Sequence, residues 1–301
     1  MGPRRPPPDT PSLATRQRWQ QIRAARLWTD IAIVTVLREE YTAMAKHLDA
    51  LRLHRGTADT PNQCSWATGW ITTRTRGRFR VVLGLARKGT TGALIGTRNT
   101  IDVFRPRHVL LVGTAGALDP RLNNGDIVVA ERVFGYEYGK VDGGFRPRPD
   151  WCYPADSAIA AIATTTDALH SSWLERLNQR APGGVPVHPK VVVGPIASGN
   201  KVVDDLVDEA FAPVLRMWPT LLAVEMEAWG AVEAIQDAHE RNRHTGFSMI
   251  RGISDRPLLR SEARRQAAER AAWKAYAAEV AAVYVRFLIE TDWPYEARGA
   301  G

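Results

Sequence analysis

The chain has 301 residues, 45% of them hydrophobic, 24% charged and 8% aromatic, with a formal net charge of +8. That length supports a sizeable core in one large domain or two small ones, and no apolar run of about 18 residues is present to cross a membrane as a helix. Two cysteines, Cys64 and Cys152, are too few for a disulfide scaffold or a four-cysteine zinc site, so both are expected reduced in a cytoplasmic protein.

The charge is unevenly placed. Residues 1–29 carry +5 of it, and their start, Gly2-Pro3-Arg4-Arg5-Pro6-Pro7-Pro8, cannot enter a helix or a sheet ladder. This segment reads as a disordered basic tail. The +3 left on the body is too small to mark a nucleic-acid surface. From residue 30 short apolar runs alternate with helical stretches. Ile31–Leu37 is a β-branched run that predicts a strand buried on both faces. Trp66–Thr73 and Phe79–Leu85 predict a hairpin, and Thr90–Phe104 a helix closed by Pro106. Further strands are expected at His108–Val112, Ile127–Ala130, Val191–Ile196, Leu221–Val224 and Phe247–Ile250. Helices are expected at Ser157–Arg180, Asp204–Trp218, Met226–Arg241 and Ser261–Ile289. The alternation implies one α/β domain over 30–291, a three-layer sandwich around a mixed, mostly parallel twisted sheet, with a flexible end at 292–301.

Two glycine-rich stretches follow strands. Residues 84–91 have the glycine spacing of a phosphate-binding loop, but Lys88 precedes the second glycine, so the clamping lysine is missing. Gly113-Thr114-Ala115-Gly116 lacks the third glycine and the acid of a dinucleotide site, yet it offers backbone N–H groups at the carboxyl edge of a sheet, where open α/β folds bind ligands.

Acids recur just past strand ends: Glu40 after the first strand, Glu225 and Glu227 after Leu221–Val224, and Asp255, beside Ser254 and Arg251, after Phe247–Ile250. Each alone reads first as a helix N-cap or first-turn acid facing the dipole. Together, on neighbouring parallel strands, they would converge in one crevice.

These residues carry a resemblance. Leu37-Arg38-Glu39-Glu40, Gly113-Thr114-Ala115-Gly116-Ala117-Leu118, Gly125-Asp126-Ile127-Val128-Val129, Phe134-Gly135-Tyr136-Glu137-Tyr138-Gly139, Ile196-Ala197-Ser198-Gly199, Val224-Glu225-Met226-Glu227 and Arg251-Gly252-Ile253-Ser254-Asp255 stand in the order found in the nucleoside phosphorylase superfamily. The chain resembles most closely its hydrolase branch, the methylthioadenosine/S-adenosylhomocysteine nucleosidases. The resemblance implies hydrolysis of a purine N-glycosidic bond, with water as co-substrate and no metal or cofactor. Asp255 would serve N7 of the base, steered by Ser254, which requires a carboxyl group that donates a proton near neutral pH. Glu227 would hold the ribose hydroxyls and offset the developing positive charge, with Met226 against the sugar. Glu40 would activate water. Thr114, Ala115 and Gly116 would face the sugar and base, Glu225 would assist binding, and Arg251 would anchor Glu227 or a neighbouring acid. Phe134 and Tyr136 would line the 5′ pocket of a second subunit in a homodimer.

Two departures bear on the substrate. After Ser198-Gly199 stand Asn200 and an aliphatic Val202, where the family has an acid and an aromatic stacking on the base. After Asp255 stand Arg256, Arg260, Arg264 and Arg265, which suit either a nucleoside 5′-monophosphate or a solvated helix face. Arg38 and Arg87 keep phosphate-dependent phosphorolysis open as an alternative, and a non-catalytic nucleoside sensor of the same fold is a second.

Overall fold

The computed structural model describes residues 27–54, 65–75, 77–169, 171–257 and 260–297. The basic segment to residue 26, Cys64, Arg76, residues 258–259 and residues 298–301 lie outside the described residues. In chain order the elements are β1 (Ile31–Thr35), α1 (Arg38–Lys46), β2 (Asp49–His54), β3 (Ser65–Thr72), β4 (Arg78–Leu85), α2 (Thr90–Phe104), β5 (His108–Ala117), β6 (Ile127–Gly135), β7 (Gly139–Val141), β8 (Phe145–Pro147), β9 (Cys152–Pro154), α3 (Ser157–Leu169), β10 (Val191–Ser198), α4 (Ala212–Met217), β11 (Ala223–Glu225), α5 (Ala228–Glu240), β12 (Gly246–Asp255) and α6 (Ala263–Thr291).

The β-branched run at the start is buried along its whole length as β1. Pleat alternation sends Ile31 and Ile33 into one core and Ala32 and Val34 into the other; β5 does the same with Leu110 and Val112 against Val109 and Leu111. The first core is completed by α1, α3 and α6, the second by α2 and α5. That is the expected three-layer α/β sandwich. No helix among the described residues is long and apolar enough to cross a membrane.

The sheet runs in the order β11-β10-β6-β12-β5-β1-β4-β3-β2, with β9 on β6. Pairing is parallel at β1–β4, β1–β5, β5–β12, β6–β10 and β10–β11. It is antiparallel at β6–β12 and along the β2–β3–β4 meander. β11 also pairs antiparallel with β5, so β5, β12, β6, β10 and β11 close into a ring. Val224 then lies opposite Gly116, which sets Glu225 beside the Thr114–Gly116 stretch.

Several expected boundaries change for identifiable reasons. Gly113–Gly116 is strand rather than turn, because β12 pairs with it on one side and β11 on the other. For the same reason Asp255 is the last residue of β12 rather than a residue beyond it. The helix expected over Asp204–Trp218 shrinks to α4: Pro213 is tolerated only in a first turn, so the helix cannot start much earlier. Of the helix expected over Ser157–Arg180, the described residues form α-helix over Ser157–Leu169 and 3₁₀ helix over Ser171–Arg176. Near the end of the α-helix Thr164 and Thr165 bond back to carbonyls one turn earlier, which weakens continuation. Residues 292–297 are not a loose end: Trp293 is buried with its ring 5.2 Å from His108 and 6.4 Å from Phe79.

Candidate active site

A cavity of about 240 Å³ opens where β5, β11 and β12 end and where α1 and α5 begin. Thr114, Ala115, Gly116, Met226 and Ser254 all line it. Glu40, Glu225, Glu227 and Asp255 also reach it, so the predicted convergence of carboxylates is observed.

Glu40 sits in the first turn of α1 and is 3% exposed. Its Oε2 accepts the N–H groups of Val36 (3.1 Å) and Leu37 (2.9 Å), which caps the helix. Its Oε1 accepts from the N–H (2.9 Å) and hydroxyl (3.2 Å) of Thr114. One oxygen thus caps the helix, and the other is held by Thr114 at the cavity wall. The contact explains Gly113: a Cβ there would lie 2.1 Å from Arg251 Nη1 and 2.6 Å from Glu40 Oε1.

Glu225 reaches the cavity and also caps a helix. Both oxygens accept the N–H of Ala228 (3.0 and 3.1 Å), and Oε2 also accepts that of Glu227 (3.1 Å), so it caps α5. The same Oε2 pairs with the fully buried Arg251. Arg251 thus anchors Glu225, the neighbouring acid, and does not itself line the cavity. Glu227 is the N-cap residue of α5 and accepts the N–H of Gly89 at 3.2 Å. Burial, with the Glu225 charge beside it, pushes its carboxyl up to about 7; the Arg251 charge and the Gly89 N–H act the other way.

Asp255 is 3% exposed and held at both oxygens. Oδ1 accepts from the Ser254 hydroxyl at 2.8 Å. Oδ2 accepts from Gln266 Nε2 (3.0 Å) and Arg270 Nε (3.1 Å), and Arg270 reaches on to Asp204 at 2.7 Å. The sequence reading missed Gln266 and Arg270, along with Lys274, Lys88 and Lys201, which also line the cavity. The signal was present as the i, i+4 series Gln266, Arg270, Lys274, but the arginine-rich start of the helix masked it.

Other expectations are redistributed. Val202 does line the cavity, 54% exposed and next to the buried Val203, so that wall is aliphatic. Asn200 is a structural bridge, accepting the N–H of Thr90 (3.0 Å) and donating to Glu137 (3.0 Å). Phe134 and Tyr136 do not line the cavity of their own chain. Phe134 packs 4.8 Å from Trp218, and Tyr136, 2% exposed against Phe211, lines a neighbouring cavity with Lys201 and Val202. Arg256 and Arg265 line a separate cavity of about 470 Å³, with Arg256 donating to the Leu122 carbonyl. Strand alternation is the reason, since Arg256 follows Asp255 and turns away from it. Arg264 is exposed, and the side chain of Arg260 lies outside the described residues.

The family model for the phosphorylase superfamily matches residues 30–290. The 5′-methylthioadenosine/S-adenosylhomocysteine nucleosidase of Anoxybacillus flavithermus is 30% identical over 235 residues, covering 75% of this chain and 85% of the relative. That of Bacillus pumilus is 28% identical over 234 residues with the same coverage. In fold, the chain is similar to the nucleosidase of Neisseria meningitidis in complex with methylthio-immucillin-A, with a TM-score of 0.64 at 20% identity, over 87% of this chain and 99% of that one. It is also similar to the futalosine hydrolase of Helicobacter pylori, with a TM-score of 0.65 at 18% identity, over 88% and 98%. Matched from its first strand to the last turn of α6, the chain belongs to the phosphorylase superfamily.

Proposed function

We propose that the chain is a nucleosidase that hydrolyses the N-glycosidic bond of a 5′-modified purine nucleoside. The observation that carries this reading is the meeting of Glu40, Glu227 and Asp255, from three separate elements, in one cavity. The nucleosidase relatives support hydrolysis as the reaction.

Departure of the base leaves positive charge on the sugar and negative charge on the purine. Glu227, once ionised, accepts hydrogen bonds from the ribose hydroxyls and offsets the positive charge. Glu40, pinned through Oε2, takes a proton from water at Oε1, and the hydroxide adds to C1′. Asp255 gives a proton to N7, and Ser254 keeps the carboxyl in line. In the free chain Gln266 and Arg270 both donate to Oδ2 of Asp255. The incoming base therefore has to take the place of Arg270 at Oδ2, and Arg270 retains Asp204 as a partner.

Phosphorolysis is less well supported, because Arg38 and Arg87 are both exposed and neither lines the cavity. Base release from methylthioadenosine in phosphate-free buffer tests the proposal. Free adenine is expected, with Asp255→Asn slower by about 10²- to 10⁴-fold. Adenine released only after phosphate is added would overturn the role of Glu40.

A further inference from the structure

Four cations line the cavity, and none belongs to the arginine cluster that the sequence brings forward. Lys201 pairs with Glu137, and Arg270 with Asp204 and Asp255. Lys274 pairs with Glu39 at 2.9 Å, and Lys88 lies close enough to help hold the Glu39 carboxyl below its usual range. Glu39 itself does not line the cavity. One exterior carboxylate is thus influenced by two lysines that face the site.

Helix α6 acts as a ruler for what those lysines reach. Gln266, Arg270 and Lys274 succeed one another at i, i+4, so all three lie on one face, each step advancing about 6 Å. The first two hold Asp255 at the base end. Lys274 is one step further along, beside Leu37 and Glu39 at the start of α1. That displacement is comparable with the distance from N7 of a purine to its 5′ substituent. Lys88 approaches from the residue before Gly89, whose N–H holds the proposed ribose carboxylate Glu227.

We propose that Lys274 and Lys88 form a subsite for an anionic group on C5′, and that the substrate is a purine nucleoside 5′-monophosphate; this rests on the nucleosidase reading. A methylthio group placed there would desolvate an ammonium and return no hydrogen bond. A phosphate dianion can bridge both lysines. The Lys274–Glu39 pair that it would have to replace is partly exposed, with side chains 26% and 45% accessible, and such pairs exchange at little cost.

The test compares base release by the full chain from adenosine 5′-monophosphate, methylthioadenosine and S-adenosylhomocysteine, all without inorganic phosphate. The monophosphate is expected to have the highest kcat/KM, by at least about tenfold, and to yield ribose 5-phosphate. Lys274→Met is expected to lower its advantage over methylthioadenosine about tenfold or more. Glu39→Gln, which removes the competing carboxylate, is expected to lower KM for the monophosphate, an effect a merely structural lysine would not produce. Preference for methylthioadenosine or S-adenosylhomocysteine would overturn the subsite and leave the nucleosidase reading standing. Cleavage that needs added inorganic phosphate would assign the lysines to a free anion and overturn both the subsite and the nucleosidase reading. Release from none of the three would overturn both readings.

Discussion

Arg251 and Glu225 form a fully buried charge pair that also holds the first N–H groups of α5, so removing either partner strands the other. Glu225→Ala is expected to cost about 3–5 kcal/mol in chemical denaturation, because it leaves an uncompensated guanidinium in the core. The loss of activity should follow that of stability. Glu227 behaves differently. Its carboxyl titrates near 7 in the fold against an ordinary value of 4.5, so between those values the folded state holds the extra proton. Its stabilising contribution is complete below about 4.5 and is lost as pH rises through about 7. The site needs the opposite form, since ribose hydroxyls require an ionised acceptor. The expected profile is a kcat/KM that rises with pH to a midpoint near 7, while denaturation midpoints fall over the same range. Glu227→Gln should flatten both trends, which pH-rate and pH-melting profiles would show.

Between elements, α2 and α5 pack closely. A Cβ on Gly230 would lie 1.8 Å from the Thr90 carbonyl, so only glycine lets the two helices meet. Gly230→Ala is expected to push them apart at a cost of about 1–3 kcal/mol and to draw the Gly89 N–H away from Glu227. A thermal shift together with a raised KM would report both effects. The buried strands were legible because continuous apolar runs such as Ile31–Val34 have few alternatives. The ends of β5 and β12 were not, because Gly113–Gly116 and Gly252–Asp255 gain their strand character from partners remote in sequence. Edge strand β2 was illegible for a related reason: its residues are largely exposed and lack a hydrophobic pattern.

At the scale of the molecule, the last described residues are tied into the body. Trp293 lies against His108, which begins β5 at the sheet edge opposite the cavity. Trp293→Ala is expected to cost about 3–5 kcal/mol and to leave the kcat of the remaining folded enzyme little changed, which denaturation and active-site titration would separate. Glu40, Glu225, Glu227 and Asp255 could be picked out in the sequence because strand ends in an α/β fold gather at one edge, and the resemblance singled out three of them as catalytic. The task of Glu225 and the supporting residues could not: whether Glu225 binds ligand or caps a helix, and whether Arg256 or Arg270 faces the site, depends on which way a side chain leaves its element.

Helix α6 has two unlike halves. Gln266, Arg270 and Lys274 serve the cavity among half-exposed neighbours, whereas from Tyr276 to Ile289 nearly every residue is buried. Hydrogen exchange should therefore divide the helix. Amides beyond Tyr276 should exchange only when the whole molecule unfolds, and those before it by local opening. A bound ligand should slow the first set of turns alone, making one continuous helix both an anchor for the core and a reporter of occupancy.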